Sequence, residues 1–180
     1  EAPYWCAVNA QDGHSPSPSS LILSALWNPS LEPTSVIPLP PVLQKIGVTN
    51  CLALTTGNFQ FTRSDSFVSG KGEDGRNVSI LEFDDKVGFA ARFNSYRFSV
   101  NDNASNFVKT AYAALCQGVG EATPVEYTLT QESAMVINNV RALHCRDVIK
   151  DNRRVLVRIF GLSKFSSPIV ISEDPLRLQG

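Results

Sequence analysis

Residues 104–118 read ASNFVKTAYAALCQG, and the reading of this stretch decides the fold. Phe107, Ala111, Ala114 and Leu115, with Val108 at the margin, recur at the three- and four-residue spacing that lines one face of an α-helix. Asn103 or Ser105 offers a capping oxygen at the start, and Gly118 or Gly120 a stop. One principal helix is therefore predicted over about 104–117. A crossover between parallel strands takes a dozen or more residues, usually helical. Only the interval 101–123 has room and pattern for one, so the remaining strands are expected to pair mainly antiparallel.

Outward from the helix the chain reads as strand. Downstream lie PVEYTLT (124–130), AMVINNVRALHC (134–145), RVLVRIF (154–160) and PIVI (168–171). Upstream, VTNCLALTT (48–56), GNFQFTR (57–63), NVSILEF (77–83) and VGFAARFNSYRFSV (87–100) carry the β-branched, aromatic and alternating composition of strands. In RVLVRIF the β-branched Val155, Val157 and Ile159 are expected to form the buried face. The prediction is an α+β domain over 46–180, mainly antiparallel sheet with one helix.

Residues 1–45 differ, holding eight of the eleven prolines. HSPSPSS (14–20) and IPLPP (37–41) read as turns and extended polyproline segments. LILSALW (21–27) is too apolar to leave in water. It is expected as a short helix capped by Ser19 or Ser20 and stopped before Pro29, with Leu21, Leu26 and Trp27 anchoring an N-terminal extension onto the body.

Net charge is -1 and charged residues make up 18% of the chain, so no global attraction to nucleic acid follows. The longest apolar runs are far too short to span a bilayer. Cys6, Cys51, Cys116 and Cys145 are even in number and widely spaced, without a CxxC. Two disulfides stapling the body are the expectation, in one of three pairings, and with them an oxidising compartment. Asn77 and Asn103 each head an N-x-S triplet and are candidate glycosylation sites. The start EAPYWC lacks methionine and reads as a processed end left by a signal peptide. The expected location is secreted, extracellular.

Candidate chemistry centres on HCRDVIKDNRRVLVRIF (144–160). His14 and His144 are the only histidines. An acid–base site of ribonuclease type would take its base from Glu82, Glu126 or His144 and its acid from His144 or His14, with Arg146 or a neighbouring arginine on the phosphate. Arg141, Arg146, Lys150, Arg153, Arg154 and Arg158 form a locally basic stretch suited to an anionic partner. Residues 63–85 are acidic in compensation, which makes the molecule dipolar. Asp84-Asp85 and Glu73-Asp74 lack the spacing of a calcium loop. No GxSxG elbow, phosphate loop or dinucleotide glycine pattern occurs. No metal or cofactor is therefore expected.

Tyr4-Trp5-Cys6 resembles the aromatic-x-Cys start of small secreted effectors from powdery mildew fungi, over those three residues. The resemblance implies a ribonuclease-like fold in a host-targeting protein that lacks the catalytic residues. Together these features predict a secreted, non-enzymatic, effector-like protein that binds a host or partner macromolecule through a basic sheet face. A secreted ribonuclease-like enzyme or RNA-binding protein, and a structural surface component, are the alternatives.

Overall fold

LILSALW is a strand. Its period is two: Leu21, Leu23 and Ala25 are buried while Ile22 and Ser24 are less so. A short apolar run cannot be assigned to helix or strand by periodicity alone, and here partners on both sides decide it. The structure, a computed structural model, describes residues 19–62, 75–84, 88–145, 150–161, 169–170 and 178–179.

In chain order the elements are β1 (Ser20–Trp27), β2 (Pro33–Pro38), α1 (Leu39–Ile46), α2 (Val48–Leu54), β3 (Phe59–Phe61), β4 (Gly75–Val78), β5 (Leu81–Asp84), β6 (Gly88–Ala91), β7 (Phe98–Val100), α3 (Asn106–Gly120), β8 (Val125–Thr128), β9 (Ala134–Asn138), β10 (Ala142–Cys145) and β11 (Val155–Gly161), then the short pair β12 (Ile169–Val170) and β13 (Leu178–Gln179). Every strand pair among the described residues is antiparallel. Two three-stranded sheets dominate. One has the order β11-β1-β9, the other β10-β2-β8. A third, β4-β3-β7, and the pairs β5-β6 and β12-β13 complete the described sheets.

The fold is α+β with several sheets and three helices, which corrects the expectation of one principal helix. Two helices were hidden for separate reasons. IPLPP enters α1 because proline is tolerated in the first helical turn, where its missing N–H has no intrahelical partner and its φ is already helical. VTNCLAL forms α2 with Cys51, Ala53 and Leu54 inward and Val48 and Leu52 exposed, a helical face read as a strand because its first residues are β-branched. Gly47, at φ 84°, turns the chain between the two helices in a conformation that favours glycine. The principal helix α3 is capped by Ser105, whose Oγ accepts from the Val108 N–H. Its buried stripe is Val108, Ala111, Leu115 and Gly118, and Phe107 faces solvent.

The disulfide staple is a second correction. Among the described residues no disulfide forms: Cys51 is buried on α2, Cys116 half-buried on α3 and Cys145 exposed at the end of β10. Cys6 lies outside the described residues. Burial does the stapling instead, in two hydrophobic cores. The larger joins α1, α2 and α3 to β3, β4, β5 and β7 through residues such as Leu39, Leu54, Phe59, Ile80, Ala111 and Leu115. The smaller lies between the two main sheets and consists of Leu21, Leu23, Ala25, Leu129 and Ile137. No helix among the described residues is long and apolar enough to cross a membrane.

β1 and β2, from the proline-rich N-terminal quarter, are the central strands of the two main sheets. The 87–100 stretch, expected as one long strand or bulged hairpin, breaks into β6 and β7 in different sheets. Asn94 makes the break, its Oδ1 accepting from the Tyr96 N–H and its carbonyl from the N–H groups of Arg97 and Phe98. In β11 the expected buried face does not form, and neither face is fully buried: Leu156 and Val157 are half-buried, Arg158 and Phe160 exposed. Val155 and Ile159 are exposed, and Leu156 packs against the intersheet core.

Candidate functional site between the two sheets

The register of the two main sheets aims a defined set of polar side chains into the space between them. In β1, Leu21, Leu23 and Ala25 face that space; their partners on β11 are Phe160, Arg158 and Leu156. Directly paired residues share a face, so Arg158 and Phe160 lie on the inner side of this sheet. The Arg158 guanidinium sits 5.7 Å from the centre of the Phe160 ring, within cation–π range. On the opposing sheet, Val36 and Ala142 pack against the same core. His144 pairs with Val36, and Thr34 lies two residues before it, so both share that inner face. His144 is half-buried and Thr34 is buried. Arg154, at the entrance to β11, donates from Nη2 to Thr34 Oγ1 at 2.7 Å. A histidine, a threonine and two arginines, of which Arg158 is exposed, thus lie on the inner faces beside the small core of Leu21, Leu23, Ala25, Leu129 and Ile137.

The turn that delivers Arg154 is tied down. Glu32 Oε1 accepts from the backbone N–H groups of Lys150 and Asp151, at 2.9 and 2.7 Å. Ser30 Oγ donates to Asp151 Oδ2 at 2.7 Å. Arg153 donates from Nε and Nη2 to the two oxygens of the same carboxylate, each at 2.9 Å. The Arg153 side chain, then Ser30 and the Arg153 N–H, hold the Asp151 carboxyl well below the usual carboxylate range. Asn28 fixes the facing turn. Its Nδ2 donates to the carbonyls of Glu32 and Leu129, and its Oδ1 accepts from the Glu32 N–H. Leu31 takes a φ of 50° there, a left-handed conformation that few residues but glycine adopt.

The other expected site residues are dispersed. Glu126 pairs with Ser35, which also pairs with Cys145, so it lies on the face of its sheet opposite to His144. Glu82 is on β5, in a separate two-stranded sheet. His14 and Arg146 lie outside the described residues. Glu126 thus faces away from His144, and Glu82 belongs to a different sheet. Arg141 sits in the turn before β10, its guanidinium against Gly88 of β6. Lys150 and Arg153 are exposed on the tied turn. The basic stretch is thus split between the outer surface and the intersheet space. Asn77 and Asn103 are both exposed, and Asn77 Oδ1 accepts from Asn101 Nδ2. Thr34 and Glu32 carried no signal in the sequence, because each matters only through a partner about 120 residues away. Trp27, Asn28, Pro29, Leu31, Thr130, Gln131 and Glu132 line an open hollow beside the turn between β1 and β2.

No protein-family model and no curated protein matches this chain. Solved structures do. Crystal structures of the non-heme iron oxygenase OrfP superpose with a TM-score of 0.69 at 22% identity over 85% of this chain. The complex of OrfP with Fe and alpha-ketoglutaric acid gives 0.69 at 24% over 84%, and that with Fe, succinate and (3S)-hydroxy-L-Arg 0.67 at 23% over 91%. The fold resembles that of a non-heme iron oxygenase. The chain spans about half the length of the OrfP chains it matches, 47–52% in these structures.

This likeness corrects the functional expectation. The body is neither ribonuclease-like nor that of a disulfide-bonded effector; it shares its architecture with a catalytic iron protein. The reading as a non-enzymatic, disulfide-bonded virulence effector, its structural-component alternative, and the expectation that the chain is not an enzyme are set aside on that ground.

Non-heme iron oxygenases commonly hold their metal with two histidines and one carboxylate. Among the described residues His144 is the one histidine, and no three His, Cys, Asp or Glu side chains there stand together as a metal-binding group. The described residues do not by themselves fit iron. What they can do chemically is bind and orient an anion between the sheets.

Proposed function

We propose that this chain forms part of an enzyme that acts on a small molecule and that it binds a carboxylate between its two main sheets. The observation that carries this reading is the convergence of His144, Thr34, Arg154 and Arg158 on the inner faces of facing sheets. Guanidinium groups form charge-assisted, two-pronged hydrogen bonds to carboxylates. Arg154 and His144 are half-buried beside an apolar core, which lowers the local dielectric and strengthens such bonds. OrfP is seen with alpha-ketoglutaric acid and with succinate, both dicarboxylates. The likeness of fold supports the same ligand class here.

The test is a calorimetric titration of the protein with α-ketoglutarate. Saturable binding is expected in the wild type. Arg154→Ala is expected to weaken it by about tenfold or more, the scale of a lost charged hydrogen bond. His144→Ala weakens it as well, whereas Glu126→Ala, on the opposite face of the sheet, leaves it unchanged. A wild type with no saturable heat at millimolar ligand sinks the reading. Equal losses in H144A and E126A would place the ligand somewhere other than between the sheets.

A further inference from the structure

Arg154 is held at Thr34 by a chain of contacts that starts one turn away. Glu32 Oε1 collects the N–H groups of Lys150 and Asp151. The Asp151 carbonyl, at 3.2 Å, then accepts from the N–H of Arg154. Arg154 leaves that turn, enters β11 and reaches Thr34. Two successive N–H groups on one carboxylate oxygen fix the direction of the turn more firmly than a single bond would, because both peptide planes must point at the same atom. Glu32 in turn is aimed by Asn28, which bonds both its N–H and its carbonyl.

We propose that Glu32 is a positioning residue for the intersheet site: it fixes the 150–154 turn and so aims the Arg154 guanidinium at the place where the carboxylate of the small molecule binds. The inference rests on the carboxylate-binding reading above. Glu32 touches no ligand in this account. Its effect on binding passes through Arg154, and a preorganised guanidinium loses less freedom when the ligand arrives. Ser30 and Arg153 brace the same turn from the outside through Asp151.

The test is a double-mutant cycle read by α-ketoglutarate titration. Glu32→Ala removes the acceptor and is expected to weaken binding about tenfold, within the range of coupling between contacting groups. Glu32→Gln keeps an oxygen at the same position and is expected to restore affinity to within about threefold of wild type. In an Arg154→Ala background, Glu32→Ala is expected to cost nothing further. The amides of Lys150 and Asp151 supply a readout independent of ligand: they exchange faster in E32A and at the wild-type rate in E32Q. Wild-type protein that fails to bind α-ketoglutarate overturns the carboxylate reading, and this inference with it. Wild type that binds while E32A binds equally well overturns the positioning role alone. So does a loss in E32A that persists undiminished beside R154A.

Discussion

Cys51 shows how a single residue type misled. Its thiol is buried on α2 and donates to the Leu43 carbonyl at 3.6 Å, and burial raises its pKa. A buried thiol behaves as a small hydrophobe with a weak donor. Four cysteines at wide spacing look like two cross-links in a sequence, because nothing local separates a packed thiol from half of a disulfide. Cys116 is half-buried on α3 in contact with Tyr112, whose hydroxyl donates to the Phe98 carbonyl at 2.6 Å. Desolvation first, then the neighbouring Cys116, pushes the Tyr112 phenol up to about 12. Thiol labelling checks the assignment. With no reductant present, Cys145 is expected to react first and Cys51 only when the protein unfolds, since reaction needs both access and thiolate. Folded protein in which none of these three thiols can be alkylated even after denaturation would restore the disulfide framework.

At the level of elements, legibility followed how local the deciding contact is. α3 was readable because fifteen residues repeat one face and Ser105 caps them. β3 was readable because Phe59 and Phe61 alternate with Gln60 and both phenylalanines are buried. β1 was not, since LILSALW becomes a strand only when β9 and β11 close on its two sides. α2 was not, because Val48 and Thr49 favour strand locally while the inward side is set by α3 and the core. Of the site, His144 and the arginines were visible as residues. Their faces were not, since the facing of Arg158 depends on its pairing with Leu23. The clasp between the turn after β1 and the turn before β11 was invisible for the same reason. That clasp has a pH signature. The Asp151 carboxyl titrates below its ordinary value because Arg153, Ser30 and a backbone N–H favour the ionised form. A depressed folded pKa contributes stability that is present above the unfolded value, near 4, and is lost as pH falls through the lower folded value. Asp151→Asn is therefore expected to melt below wild type at neutral pH, with the gap in Tm closing as pH falls from about 4 toward 2. A gap that stays constant across that range would mean the charge of Asp151 contributes nothing.

Across the whole molecule, stability is unevenly distributed, and the site sits where it is thin. The helix-side core gathers large, fully buried side chains such as Phe59, Leu54, Ile80 and Leu115. The core between the main sheets has five buried members, and only Leu21, Leu23 and Ile137 among them are large and in sheet strands. Each fully buried leucine or isoleucine contributes roughly 1.5–3 kcal/mol. The intersheet space is thus open toward Arg158 and Phe160 and has few side chains to hold its far wall. β8 is that wall's outer strand. All four of its residues are exposed, Val125 at 44% and Tyr127 at 50%, and among the described residues its ladder runs to β2 alone. β1, by contrast, is paired on both sides and anchored by a Leu21 that is 0% exposed. Local openings take their free energy from the contacts they break. Native-state hydrogen exchange is therefore expected to find the amides of Val125–Thr128 exchanging through openings well below the global unfolding free energy, while those of β1 and the middle of α3 exchange only by global unfolding. Protection in β8 equal to that in β1 would contradict this ranking. The ranking bears on function because β2 carries Thr34, and β8 is its neighbour on one side. When β8 loosens, the Thr34 wall of the site loses lateral support on that side, and the Glu32 clasp still holds the turn that carries Arg154. Binding a carboxylate there adds a contact that spans both sheets, so saturating α-ketoglutarate is expected to slow exchange in β2 and β11 more than in α3, which touches neither ligand nor clasp.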